Sequence, residues 1–157
     1  MALANLTQEQ TDMENRDWCK RIAEKVERYA NGEIYRCPDC GDDFHMNPDH
    51  GDKYRCPHCG AVAETDEYEQ LSIFDYIADC LDIRYLVSSA REVIAVKILV
   101  AFGGPNIWID TETRQVELYW WTDRASYPIS KALCDELEMA AQELFNADRL
   151  RALPGPR

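Results

Sequence analysis

The sequence predicts an α+β fold: an N-terminal helix, a four-cysteine hairpin segment, a second helix, an antiparallel meander of three to four strands and a C-terminal helix. Three observations point there. Apolar residues recur at helical spacing near both ends of the chain. Two Cys-x-x-Cys pairs lie close together in a polar, turn-rich stretch. Between them and the last helix, apolar runs alternate with polar residues and are separated by turn residues.

The first unit is residues 1–32. Trp18, Ile22, Val26 and Tyr29 recur at i, i+4, i+8 and i+11, with Cys19, Ala23 and Ala30 beside them, so a helix is expected from Thr11 to Ala30. Asn31-Gly32 supplies its stop, because both residues tolerate left-handed geometry.

Residues 33–63 form the second unit, read as two hairpins over Glu33–His45 and Lys53–Ala63 joined by the loop Met46–Gly51. The third unit, residues 64–153, opens with a helix expected from Asp66 to Leu81. Leu71, Phe74, Ile77, Ala78 and Leu81 share its apolar face. Asp75, Asp79 and Asp82 then fall on the other side as an acidic stripe, spaced by about 6 Å along the axis.

Strands are expected over Arg84–Ser88, Glu92–Phe102, Ile107–Asp110 and Gln115–Trp121, with Tyr127-Pro128 ending the sheet or forming a short edge strand. Glu92–Phe102 is apolar on both faces and reads as a central strand. Trp120 and Trp121 are adjacent, so they point to opposite faces and one of them is expected in the core. Ser130 caps the last helix, whose inner face carries Leu133, Leu137, Ala140 or Ala141, and Leu144. Pro154-Gly155-Pro156 makes residues 154–157 a tail.

The cysteines carry the chemistry. Cys37-Pro38-Asp39-Cys40-Gly41 and Cys56-Pro57-His58-Cys59-Gly60 are near copies. Each presents two sulfurs from one tight turn, and glycine after the second Cys lets the chain reverse with positive φ. Four sulfurs in two such turns suit one tetrahedral cation. This doubled Cys-Pro-x-Cys-Gly pattern resembles the zinc ribbon family over about thirty residues. The resemblance implies a single structural Zn2+ held by Cys37, Cys40, Cys56 and Cys59, and no particular function. Rubredoxin-like iron and an iron–sulfur centre can use four cysteines too, whereas a redox Cys-x-x-Cys needs one pair at a helix start. His45, His50 and His58 are near, but four thiolates already close the site. The other cysteines, Cys19, Cys80 and Cys134, sit on expected helices and read as buried thiols.

Charge narrows the function. The formal net charge is −12 with a pI near 4.6. Residues 64–90 alone carry seven acids against one base. The hairpin segment offers Arg36, Lys53 and Arg55 against Glu33, Asp39, Asp42, Asp43, Asp49 and Asp52. Such a surface repels phosphate backbones and suits a basic protein partner. Trp108, Tyr119, Trp120 and Trp121 are the residues that a direct DNA or RNA contact would use for stacking. No Gly-x-Ser-x-Gly, Walker loop, His-Glu-x-x-His or dinucleotide fingerprint is present, so the expectation is a binding protein and not an enzyme. An enzyme whose site assembles only in space is the remaining alternative. The apolar runs are too short to span a bilayer and Met1–Gln10 lacks signal-peptide character, so the expected location is cytoplasmic.

Arg84-Tyr85-Leu86-Val87-Ser88-Ser89 and the run from Ala101-Phe102-Gly103-Gly104-Pro105-Asn106 through Ile107-Trp108-Ile109-Asp110-Thr111, extending to about Trp121, are similar to small proteins carried by plasmids, phages and conjugative elements of anaerobic bacteria. The resemblance implies an accessory gene of a mobile element. Small acidic anti-CRISPR and anti-restriction proteins occur among such genes. The expected partner is therefore a basic nucleic-acid-handling protein, met through Asp75, Asp79 and Asp82.

Overall fold

The computed structural model describes residues 7–46 and 51–152. The expected loop residues 47–50, His50 among them, and the 154–157 tail lie outside the described residues.

Helix α1 (Gln8–Ala30) starts three residues earlier than its apolar period, because Thr7 and Gln10 form a reciprocal capping box. Thr7 Oγ1 accepts from the Gln10 N–H at 3.3 Å, and Gln10 Oε1 accepts from the Thr7 N–H at 2.9 Å. Cys19, Ala23, Val26 and Tyr29 are buried along its inner face. Trp18, expected on that face, is 38% exposed, since the buried arc is centred one residue further on. Gly32 follows with φ 70°, and a Cβ there would lie 2.7 Å from Gln70 Nε2. That close approach lets Gln70 donate to the Gly32 carbonyl.

Strands β1 (Ile34–Arg36) and β2 (Asp43–His45) form one hairpin, and β3 (Lys53–Arg55) and β4 (Val62–Glu64) the other, as expected. The expected helix over residues 66–81 is not formed as such. A 3-10 turn at Thr65–Glu67 leads into β5 (Glu69–Leu71), and only Ile73–Ala78 is helical, as α2. The reason is non-local. β1 has a second edge whose backbone groups need partners, and β5 supplies them antiparallel, with Ile34 opposite Leu71. Ser72 then starts α2 with its own capping box to Asp75. Asp75, Asp79 and Asp82 therefore do not form a helical stripe. Asp75 is inside α2, Asp79 is its C-cap and Asp82 opens a strand.

The meander has five strands against the three to four expected: β6 (Asp82–Val87), β7 (Val93–Ala101), β8 (Asn106–Asp110), β9 (Gln115–Trp120) and β10 (Asp123–Pro128), in the order β10-β9-β8-β7-β6. Tyr127-Pro128 closes a full edge strand and not a stub. One face carries Val96, Ile98, Ile107, Ile109, Val116 and Leu118, and packs against α1, α2 and the final helix α3 (Lys131–Ala152). Leu133, Leu137, Ala140 and Ala141 fill the α3 side, and Ser130 Oγ accepts from the Leu133 N–H at 3.1 Å. Cys19 and Cys134 are buried, and burial raises both thiols to about 11. Cys80 is half-buried and follows α2. β7 is covered less evenly than its composition suggests, because a register shift between Leu99 and Ala101 turns its end outward and leaves Phe102 74% exposed.

The opposite sheet face is polar and aromatic. Alternation and register put Arg84, Lys97, Trp108, Asp110, Glu117, Tyr119 and Arg124 there. Neither Trp120 nor Trp121 is in the core. Trp120 is the last residue of β9 and 39% exposed, whereas Trp121 occupies the hairpin turn and is 95% exposed. Among the described residues, no helix is long and apolar enough to cross a membrane.

Candidate metal centre

The two knuckles fold alike because they are built alike. In the first, the Gly41 N–H donates to the Cys37 carbonyl at 2.9 Å and the Cys37 N–H to the Asp42 carbonyl at 3.0 Å. In the second, Gly60 donates to Cys56 at 3.0 Å and Cys56 to Ala61 at 2.9 Å. Gly41 and Gly60 adopt φ 77° and 76°, the left-handed conformation expected of them.

These turns bring four sulfurs together, all within 4.8 Å of one another. Cys37 Sγ lies 3.8 Å from Cys59 Sγ, and Cys40 Sγ lies 3.8 Å from Cys56 Sγ. A tetrahedron with metal–sulfur bonds of about 2.3 Å has edges of about 3.8 Å, so the cluster has the size of a metal tetrathiolate. A disulfide needs about 2.05 Å, which excludes that pairing. The four cysteines are positioned to hold one metal ion, in a ribbon-like arrangement.

The backbone favours thiolates at this centre. Burial pushes the Cys56 thiol up, but the N–H groups of Cys59 and His58 outweigh it and lower the thiol to about 6. The His58 N–H donates to Cys56 Sγ at 3.4 Å. Cys40 moves the other way, to about 12; the Asp42 N–H favours its thiolate, but desolvation and the neighbouring sulfurs oppose it. The two shifts conflict because thiolates this close repel one another. The direction that reflects the turn itself is the lowering at Cys56, and a divalent cation between the sulfurs removes the repulsion at Cys40.

A small aromatic core stands behind the sulfurs. Phe44 stacks on Tyr54 at 5.3 Å and 7°, and Tyr68 meets Phe44 edge-on at 5.6 Å. Tyr68 Oη donates to the Tyr54 carbonyl at 3.0 Å. Tyr68 and β5 were not legible as ribbon residues, since Tyr68 follows the 63/64 boundary and its neighbours read as helix. A lone aromatic between Glu67 and Glu69 was the only sign.

The ribbon joins the body through Ile34, Leu71 and Tyr29, all in the main core. Tyr29 Oη donates to Asp43 at 3.3 Å, and Arg36 pairs with the same carboxylate at 2.9 Å. All three ribbon cations are engaged: Arg36 with Asp43, Lys53 with Glu64 at 3.3 Å, and Arg55 with the Gly60 carbonyl at 2.8 Å. Among the expected partner residues, Asp75 is committed to the α2 cap. It is partly buried, yet the Ser72 N–H and Oγ–H, both at 2.7 Å, hold its carboxyl below the usual range. Asp79 lies 3.9 Å from Arg36, and Asp82 lies 3.5 Å from Arg84.

Gly60→Ala tests the local account. A Cβ at Gly60 has no neighbour within 4 Å, so only the left-handed backbone opposes it. The expected cost is about 1–2 kcal/mol, read as weaker metal retention against a chelator, with the sheet unaffected. Unchanged retention would show that the knuckle tolerates another conformation. No family model, curated protein or solved structure matches the chain, so the centre is read from its own geometry.

Proposed function

We propose that the chain is a zinc-stiffened acidic binding protein that inhibits or modulates a basic, nucleic-acid-handling host-defence protein, as an accessory product of a mobile element. Zinc is the metal that fits four thiolates at a closed site with no open position for chemistry. One zinc and negligible iron per chain by elemental analysis is the expected result.

The observation that carries the reading is the segment Glu64 to Asp82. It holds Glu64, Asp66, Glu67, Glu69, Asp75, Asp79 and Asp82 with no Lys or Arg among them. All but Asp75 are exposed, along the chain that leaves the ribbon and enters the body. A surface of that sign competes with phosphate for a basic groove and speeds encounter with it. The contact is a seam across two modules and not a helix face.

Target cleavage by a CRISPR effector or restriction enzyme of the host, with and without the chain, tests the proposal. Inhibition is expected, and Asp66→Lys with Glu69→Lys and Asp79→Lys is expected to relieve it at least tenfold while metal content and folding stay unchanged. Inhibition that survives the reversal would remove the acidic seam from the mechanism. Absence of inhibition and of any salt-sensitive association with such enzymes would remove the reading altogether.

The polar sheet face favours one other reading, direct contact with single-stranded DNA or RNA. Arg84 lies over Trp108 at 4.7 Å and Arg124 over Tyr119 at 5.6 Å, with Lys97 between the two rings at 5.7 and 6.0 Å. Aromatic rings interleaved with cations on an open sheet can stack bases. The charge count ranks it second: Lys97 is neutralised by Asp110 and Glu117, and Arg84 lies beside Asp82. Binding of a short single strand that quenches tryptophan emission and weakens steeply with salt would reverse that order.

A further inference from the structure

Three exposed aromatic residues, Phe102, Trp120 and Trp121, gather at one end of the sheet. The turn after β7, the start of β8, the end of β9 and the start of β10 lie at this end by the antiparallel register. It presents Phe102 on one hairpin and Trp120 and Trp121 on the other. The Trp120 ring rests against Gly104, where an added Cβ would sit 3.6 Å away. Trp121 holds a left-handed φ of 51° and is 95% exposed. A bulky residue in that conformation is costly, and here no burial offsets it.

Between this end and α1 is a cleft of about 700 Å³. Its apolar walls are Trp18 and Trp120, each a little over one-third exposed. Its charged lining is Glu14, Asp17 and Asp123 against a single cation, Arg21, with the neutral Thr11 and Asn15 completing the wall. Among the described residues, none of those three carboxylates is in an ion pair, and Asp123 accepts only a long hydrogen bond of 3.4 Å from the neutral Gln8 amide. Two indoles lined by excess carboxylate select for an occupant that is flat, cationic and able to donate several hydrogen bonds. Guanidinium meets all three conditions, because it stacks on indole and grips carboxylates in a fork, whereas an ammonium does only part of this. A neutral apolar side chain would leave the carboxylates unanswered, and a phosphate would be repelled by them.

We propose that the cleft between Trp18 and Trp120 receives an arginine side chain from a basic segment of a partner protein, with Trp121 and Phe102 as the apolar shoulder beside it. The proposal rests on the reading of the chain as a binder of a basic protein, and it names the anchor point.

The probe is a nine-residue peptide of alternating arginine and serine, compared with the same peptide carrying citrulline in place of arginine. Indole N–H resonances of Trp18 and Trp120 are expected to shift with the arginine peptide and not with citrulline. Asp17→Lys, an exposed change on α1, is expected to weaken binding at least tenfold, and Trp120→Leu to do the same. Equal binding of the citrulline peptide, or shifts confined to residues outside the cleft, would overturn the proposal. Asp17→Lys keeps the test decisive should Trp120→Leu fold poorly. A chain that still inhibits its enzyme with Asp17→Lys in place would end the anchor and leave the function standing. Arginine capture in the cleft with no defence enzyme inhibited would do the opposite.

Discussion

Cys56→Ser is expected to unfold the ribbon, with amide protection lost from β1 to β5 while β7, β8 and β9 keep theirs. The ribbon's own buried residues are Cys37, Phe44, Met46, Cys56 and Tyr68, and two of those belong to the cysteine cluster positioned to hold the metal. So small a cluster cannot offset the ordering of its chain. Metal binding at such centres is worth about 10–16 kcal/mol, and because the site does not pre-exist in the unfolded chain, that energy is folding energy. A chelator is expected to reproduce the variant. The boundary of the loss follows from the strand pairing. β5 is hydrogen-bonded to β1, so Leu71 and Ile34 are released together, and the main core loses that corner. The five-stranded sheet keeps Ile98, Ile107, Ile109, Val116 and Leu118 against α1 and α3 and stays folded, with a lower melting temperature. Protection that persists in β1–β4 after verified metal loss would mean the aromatic core suffices, and the structural role of the metal would be refuted.

What the sequence discloses is what depends on short spans. The knuckles were readable because Cys, Pro and Gly occupy the same offsets twice, and each turn is fixed within five residues. The outer helices were readable because long apolar periods average over local exceptions; the rotation of the α1 face away from Trp18 shifts the pattern without erasing it. The stretch from Tyr68 to Leu81 was readable only in its middle, where Ile73–Ala78 is helical as expected; whether Glu69-Gln70-Leu71 is strand or helix is decided by the free edge of β1, which pairs with it from Ile34–Arg36. The acidic stripe failed with it, because its spacing had meaning only on a continuous helix. Trp121 illustrates a third limit. Its neighbours alternate as a strand, but the chain reverses at that residue with φ 51°, which tryptophan rarely adopts and no sequence rule would assign to it.

Cross-strand register, also invisible in sequence, creates the second large effect. Lys97 on β7 sits opposite Asp110 on β8, with Glu117 on β9 one strand beyond, and its Nζ lies 3.3 Å from Asp110 and 3.0 Å from Glu117. The two carboxylates are only 10% and 13% exposed, so they are charges on the sheet face largely withdrawn from water. Tyr119 Oη at 2.8 Å and Thr113 Oγ1 at 3.2 Å donate to Glu117, and the N–H groups of Glu112 and Thr113 donate to Asp110. Each acid therefore has neutral hydrogen bonds, and Lys97 is the cation common to both. Lys97→Met removes it and leaves two poorly solvated carboxylates about one strand spacing apart. The expected loss is about 3 kcal/mol, at the lower end for a broken buried pair because the neutral donors remain.

The pH dependence separates this cause from a packing defect. In the parent chain burial raises the Glu117 carboxyl, but the Lys97 ammonium and the Tyr119 hydroxyl outweigh it and hold the carboxyl below its usual range. That contribution is complete above the ordinary glutamate value of about 4.3 and is lost as pH falls through the lower folded value. Lys97 is displaced upward, with burial opposing and Glu117 prevailing, so its contribution is complete below about 10.4 and is lost only as pH rises through the raised value. Without Lys97, burial dominates at Glu117 and its folded value rises. The variant then binds protons more readily when folded and gains stability as pH falls. The gap between parent and variant is accordingly expected to be widest near neutrality and to close towards pH 4, measured by urea unfolding at each pH. Lys97→Met combined with Asp110→Asn and Glu117→Gln is expected to recover most of the loss, because no buried charge is then left unpaired. A gap that stays constant with pH, or a triple variant as unstable as the single one, would show that Lys97 contributes through its methylene stem against Trp108 and Tyr119, and not through its charge.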